Sequence, residues 1–178
     1  NTLVRMKTTK SPNAIARTAL DAGMHALPLY HHTCSPKKFT QPQLFAILAL
    51  KEFFKTDYRG IIAIIADSTD LRHILQLNAV PHYTTIQKAA RRIMNDDGSH
   101  ELLSATLTLA QEAHLLPTRV SRAAIDGTGF ESHHVSEYFV RRTAKGGTST
   151  QSLTYTRVPK VGIIADCATH LVLAGVPS

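Results

Sequence analysis

The feature that most constrains this chain is a change in the spacing of its apolar residues near Pro117. Before this residue, apolar side chains recur every three or four positions, which is typical of amphipathic helices. From Arg119 onward, runs such as "RVSRAAID", "PKVGIIAD" and "HLVLAGV" are rich in strand-forming residues. We therefore expect an α+β fold in which the helices come first and the strands follow.

Several helix starts are marked by residue types that cap helices. Ser11 precedes Pro12, Thr40 precedes "QPQLFAILALKEFFK", and Ser68 precedes "TDLRHIL". A hydroxyl ahead of an apolar stripe can accept a hydrogen bond from the first free backbone N–H groups of a helix. The isoleucine-rich residues 58–66 are expected to form a short buried helix, although their composition also suits a strand.

The segment from Asp70 to Met94 is predicted to form a helix–turn–helix-like hairpin. Its first helix ends near Asn78, and Pro81 forbids helix in the turn. Thr84 is expected to cap the second helix, which the sequence "NDDG" closes near residue 95. Another helix then follows over residues 101–116.

The charge of the chain favours a polyanionic partner such as DNA or RNA. Twenty Lys and Arg oppose 13 Asp and Glu, which gives a net charge of +7. Thirteen of these cations and 7 of the acids lie in residues 1–100. We therefore divide the chain into a helical DNA-binding region, 1–100, and a strand-containing region, 101–178.

The second helix of the hairpin carries the candidate DNA contacts. Short polar residues at the helix start and cations along one face are typical of a recognition helix. The alternative is a solvated basic face on an ordinary helical hairpin. The candidate residues are Thr84, Thr85, Gln87, Lys88, Arg91 and Arg92.

Other motifs are excluded or left without a role. Cys34 and Cys167 are far apart and form no metal- or disulfide-type pair. The sequence "GTGFES" lacks the third glycine and the lysine of nucleotide-binding loops. No apolar run reaches the roughly 18 residues that span a bilayer, so no membrane partner is expected.

Asp126 is the most informative acidic residue. It stands at the end of the apolar run "AAID" and is followed by Gly-Thr-Gly, so the sequence predicts a carboxylate at a strand end. Such a carboxylate suits a hard divalent cation, although an aspartate beside glycines is more often a turn residue. Asp166 is interpreted as a turn residue.

Most of the chain resembles the DDE transposases of bacterial insertion sequences, in the large group named after the fourth insertion sequence. The segment "FTQPQLFAILALKEFFKTDYRGIIAIIADSTDLRHILQLNAVPHYTTIQKAARRI" is similar to their helical N-terminal region. "AAIDGTGFE" looks like the first strand of their RNase H-like catalytic domain, and "VPKVGIIADCATHLVLAGVPS" looks like the next hairpin. The resemblance implies an incomplete RNase H-like mixed sheet after the helices.

The resemblance also implies a catalytic role for Asp126. In that family, three carboxylates hold two Mg²⁺ (or Mn²⁺) ions, and Asp126 matches the first carboxylate. The second aspartate and the glutamate are expected beyond residue 178, so this chain is expected to be catalytically inactive alone. Arg141 and Arg142, near Asp126 in sequence, could contact the DNA backbone or serve as ordinary polar residues of an edge strand.

The implied partners are transposon-end and target DNA, with a homo-oligomer in the synaptic complex. The implied setting is the prokaryotic cytoplasm, in association with the nucleoid. Two alternatives remain open: a non-catalytic helix–turn–helix regulator, and another metal-dependent nuclease on the same fold.

Overall fold

The structure of the chain is a computed structural model, and it describes residues 9–34, 36–129, 138–141, 152–155 and 160–177. The chain divides into two compact units, Asn1–Pro117 and Thr118–Ser178. The described part of the first unit contains six helices: α1 (Pro12–Ala26), α2 (Gln41–Phe54), α3 (Tyr58–Asp67), α4 (Thr69–Ile74), α5 (Tyr83–Ile93) and α6 (Asp96–Glu112). The described strands of the second unit are β1 (Ala123–Gly129), β2 (Tyr138–Arg141), β3 (Ser152–Tyr155), β4 (Lys160–Asp166) and β5 (Val172–Pro177).

The α+β class predicted from the sequence is confirmed, with helices first and strands after them. The predicted division after residue 100 falls inside α6, whereas the compact units divide after Pro117. The reason is that α6 packs against α1 and so belongs with the helices. Among the described residues, no helix combines the length and the apolar character that spanning a bilayer requires.

Three of the predicted helix caps are confirmed. Ser11 Oγ accepts a hydrogen bond from Ala14 N at the start of α1, and Ser68 Oγ accepts one from Leu71 N at the start of α4. Thr40 caps α2 as predicted. Residues 58–67 are helical, which decides between the two structures that their composition allowed.

The predicted boundaries around α5 are wrong in two places. His82, and not Thr84, is the N-cap, because its ring Nδ1 accepts a hydrogen bond from Thr84 N at 3.4 Å. The "NDDG" sequence does not close α5 but starts α6, since Asn95 Oδ1 accepts a hydrogen bond from Gly98 N at 2.8 Å. Glycine is needed at position 98 because a side chain would collide with the Ile93 carbonyl oxygen.

The first unit has one apolar core to which each of its described helices contributes. α3 packs against both α4 and α5, the two helices of the segment predicted to be helix–turn–helix-like. Within the described residues, α4 and α5 have little direct contact with each other, so α3 and the rest of the core, and not a packed hairpin, hold them in place. α5 also packs against α2, and α1 packs against α2, α4 and α6. The fully buried side chains of this core include Ala16, Ile47, Leu50, Ile61, Ile65, Leu75, Ile86 and Ala89.

Gln43 joins the start of α2 to the end of α4. Its Oε1 accepts a hydrogen bond from Thr40 N at 2.8 Å, which completes a capping box with the Thr40 hydroxyl. Its Nε2 donates to the carbonyl oxygens of Leu75 and Gln76 at 3.0 and 2.9 Å. Gln76 has a positive φ of 52°, so α4 ends four residues before the predicted position, and Gln43 satisfies the carbonyls at that end.

In the second unit, β1, β4 and β5 form a three-stranded antiparallel sheet in the order β1-β4-β5. Asp126 lies opposite Ile163, and Ala123 lies opposite Asp166. β2 and β3 form a separate antiparallel pair. Ile125 of β1 is 77 % exposed, so in the described residues this strand is open to solvent.

We expect Gln43→Ala to lower the free energy of unfolding by about 2–3 kcal/mol. The substitution removes three hydrogen bonds and leaves the half-buried Leu75 carbonyl without its donor. Gln43→Glu is the sharper variant, because it keeps the acceptor for Thr40 N but sets a carboxylate against two carbonyl oxygens. Urea denaturation followed by circular dichroism measures both losses.

Gln111→Ala on the exposed surface of α6 is the matched control, with an expected change within about 0.5 kcal/mol. If Gln43→Glu were as stable as the wild type, the hydrogen bonds from Gln43 to the end of α4 would contribute nothing to the free energy of unfolding.

Candidate functional site

α5 exposes one polar face and buries the opposite one. Ile86, Ala89 and Ile93 point into the core at helical spacing. Because residues of an α-helix are about 100° apart around its axis, this burial turns positions 84, 87, 88 and 91 outward together. Gln87, Lys88 and Arg91 are exposed, and Thr84 is half-buried.

The start of this face is organised by His82. Its Nδ1 lies 2.8 Å from Thr84 Oγ1 and accepts the backbone bond that caps the helix. The His82 and Tyr83 rings are in contact, with centroids 4.3 Å apart. Thr84 therefore takes part in the N-terminal cap of α5, while its neighbours Gln87 and Lys88 remain exposed.

Arg59 of α3 adds a cation next to α5 that the sequence analysis did not include. Its guanidinium carbon lies 4.8 Å from the centroid of the Tyr83 ring, and its Nη2 donates to the Tyr83 hydroxyl at 3.4 Å. This hydrogen bond is the main cause that raises the pKa of Arg59. The two residues are 24 positions apart, so no local pattern signals their contact.

Two of the six predicted contact residues do not belong to the outward face. Thr85 and Arg92 lie about a quarter-turn around the helix and are half-buried. Arg92 Nε donates to Gln41 Oε1 of α2 at 3.3 Å. Both residues line a cavity beside the residues that precede α2. The predicted set is thus split between an outward face and a cavity wall.

The predicted contacts near the strands are described only in part. Arg141 is the last residue of β2 and pairs with Ser152 of β3, and the structure describes its backbone alone. Arg142 lies outside the described residues. Their role on DNA stays a prediction.

Asp126 lies on a sheet and is exposed, but it does not end its strand. It is the fourth of the seven residues of β1, because Gly127 pairs with Gly162 and the ladder continues to Gly129. Its Oδ1 accepts a hydrogen bond from Gly127 N at 2.7 Å. Among the described residues, Lys51 and Glu52 form an ion pair, and the Asp126 carboxylate does not form one.

Asp166, interpreted from the sequence as a turn residue, is the last residue of β4 and begins the turn to β5. It is 2 % exposed, and its Oδ2 accepts hydrogen bonds from the hydroxyl and the backbone N–H of Thr169, at 2.6 and 2.8 Å. These hydrogen bonds lower the pKa of the Asp166 carboxyl from its usual value, and the bond from the Thr169 hydroxyl has a larger effect than the bond from the Thr169 backbone N–H. Its charge therefore stabilises the turn between β4 and β5.

The register of the sheet keeps Asp126 and Asp166 apart. Paired residues of antiparallel strands lie on the same face, so Asp166 shares a face with Ala123. Asp126 is three positions beyond Ala123 and therefore lies on the opposite face. The two carboxylates do not bind one ion together.

The described residues do not supply all the ligands of the divalent-ion site that the resemblance implies. In the described ranges, no group of three His, Cys, Asp or Glu side chains is placed to hold a metal. Asp126 offers one exposed carboxylate, whereas the site implied by the resemblance needs three. The described residues by themselves do not form a magnesium site.

Comparison of the chain with models of protein families, with curated proteins and with solved structures finds no match. The resemblance to insertion-sequence transposases therefore stays a prediction from the sequence.

Proposed function

We propose that this chain binds duplex DNA through the outward face of α5 and is part of an insertion-sequence transposase. The observation that carries the first half is the grouping of Gln87, Lys88 and Arg91 on one exposed face of a helix whose other side is buried. The sequence resemblance supports the second half.

The cations of this face are available to a polyanion. Among the described residues, the side chains of Lys88 and Arg91 make no ion pair or hydrogen bond, whereas the side chain of Arg92 is held by Gln41. Neutralising a DNA phosphate releases condensed counterions, which favours binding most at low salt. The excess of cations over acids in residues 1–100 adds to this attraction over a longer range.

Gln87 would give this face a group that reads bases. A glutamine amide can both donate to and accept from the major-groove edge of adenine, while Lys88 and Arg91, which follow it on the same face, contact phosphates. An α-helix fits the major groove of B-form DNA, so one face of α5 can make both kinds of contact. Arg59, beside Tyr83, is placed to add a further phosphate contact near the start of the helix.

Asp126 is the residue of the second unit that we assign to the proposed transposase chemistry. Its exposure and its fixed place on a strand suit an oxygen ligand of a divalent ion. When bound, such ions supply charge neutralisation at the phosphate that is cut. Asp126 would contribute one ligand, and the remaining ligands are not among the described residues.

The double variant Lys88→Ala/Arg91→Ala is expected to bind duplex DNA more weakly by on the order of tenfold to a hundredfold, through the loss of two charge-assisted contacts. The slope of log affinity against log salt should fall by about two, since each phosphate contact contributes about 0.9. Fluorescence anisotropy over a salt series measures both quantities.

Lys10→Ala/Arg17→Ala is the charge-matched control, because both side chains are exposed at the α1 end of the unit. It lowers the net charge equally and should leave the salt slope nearly unchanged. Equal losses in the two double variants would mean that net charge, and not the α5 face, binds the DNA.

The transposase and regulator proposals differ in the DNA that the chain should select. Genomic fragments captured by the purified chain and sequenced should be enriched at two inverted sites that flank its own reading frame, as transposon ends do. A single upstream operator-like site would support the non-catalytic regulator instead. Asp126→Asn should give the same enrichment, because the selection depends on the α5 face and not on the carboxylate.

A further inference from the structure

A cavity of about 290 Å³ lies between α2, α5 and the residues that connect α1 to α2. Its volume is near the lower end of the roughly 300–1,000 Å³ typical of small-molecule sites, so it suits a small ligand. The cavity is lined by Tyr30, His31, Pro36, Lys38, Phe39, Gln41, Leu44, Thr85 and Arg92.

The walls of the cavity combine aromatic and apolar groups with cations. Tyr30 and Phe39 are half-buried aromatic residues, and Leu44 is a buried apolar one. Lys38 Nζ lies 5.5 Å from the centroid of the Phe39 ring, which holds a positive charge beside an aromatic surface. Aromatic side chains with nearby cations are the groups that bind unstacked nucleotides, the rings contacting the base and the cations the phosphate.

Arg92 is the most specific of these groups. Its Nε donates to the buried Gln41, whose Nε2 in turn donates to the Pro28 carbonyl at 3.3 Å. Within the described residues, the two Nη groups of Arg92 have no hydrogen-bond partner. A guanidinium anchored through Nε and free at both Nη atoms is oriented to donate two bonds to one phosphate.

We infer that this cavity binds a single unpaired nucleotide of the DNA held by α5, with its base against Tyr30 and Phe39 and its phosphate on Arg92 and Lys38. The inference rests on the proposed DNA-binding function. Thr85 and Arg92 belong to α5 itself, a quarter-turn from Lys88 and Arg91, so the outward face and the cavity adjoin on one helix. Unpairing one base would let its nucleotide leave the duplex and enter the cavity.

The direct test is a titration of the ¹⁵N-labelled chain with deoxyadenosine monophosphate, with deoxyadenosine and inorganic phosphate as separate ligands. The monophosphate should shift the amide resonances of Phe39, Leu44 and Thr85. Deoxyadenosine and inorganic phosphate should each bind at least tenfold more weakly than the monophosphate. Tyr30→Ala should weaken monophosphate binding by about tenfold, as expected for loss of one stacking contact. Lys38→Ala, at an exposed position with little risk to folding, should also weaken it.

A second arm uses duplex DNA with one unpaired nucleotide. The chain should bind it about tenfold more tightly than the fully paired duplex, and Tyr30→Ala should remove this preference while leaving affinity for the paired duplex unchanged. Lys88→Ala/Arg91→Ala should weaken duplex binding and still bind the monophosphate. If the wild-type chain showed neither amide shifts with the monophosphate nor a preference for the unpaired nucleotide, the cavity assignment alone would be overturned. If the wild-type chain showed the amide shifts but no detectable binding of duplex DNA, the proposed function would be overturned.

Discussion

The rotation of α5 about its own axis is fixed by three apolar side chains, and the proposed chemistry of the first unit depends on it. Ile86, Ala89 and Ile93 are buried in the common core, where α5 packs against α2 and α3. When one side of a helix is buried, the residues on the opposite side are necessarily the exposed ones. The face that carries Lys88 and Arg91 is therefore set by core packing and not by interactions of the charges themselves.

The same rotation gives neighbouring cations different surroundings. Arg91 is exposed, while Arg92, one residue further, is half-buried and bonded to Gln41. A free cation suits a phosphate at the surface of a duplex, whereas an anchored guanidinium suits a ligand that enters a pocket. One short helix thus offers two kinds of anion contact, and the distinction between them arises from about 100° of rotation.

Local interactions are the part of this fold that could be predicted from the sequence. Ser11, Thr40 and Ser68 cap helices as expected, because an N-cap bond joins residues only three positions apart. His82 is a less common capping residue, and "NDDG" resembles a turn as much as a helix start, so both boundaries beside α5 were misplaced.

Long-range contacts could not be predicted in the same way. The bond between Arg92 and Gln41 joins residues 51 positions apart, and no spacing rule predicts it. Asp126 was expected at a strand end because glycines often mark the point where the backbone leaves a strand. Gly127 instead pairs with Gly162, and the strand continues. The location of Asp126 on a strand was predicted correctly, since an apolar run that precedes an aspartate is a local signal.

The most direct measurement of the central claim, that the outward face of α5 contacts DNA, is site-specific photo-crosslinking. A benzophenone amino acid at position 87 should crosslink to bound duplex DNA, and the same group in place of the exposed Gln111 of α6 should crosslink only at background level. Both positions replace a solvent-exposed glutamine on a helix, so differences in crosslinking report proximity. Crosslinking at 111 with none at 87 would contradict the account.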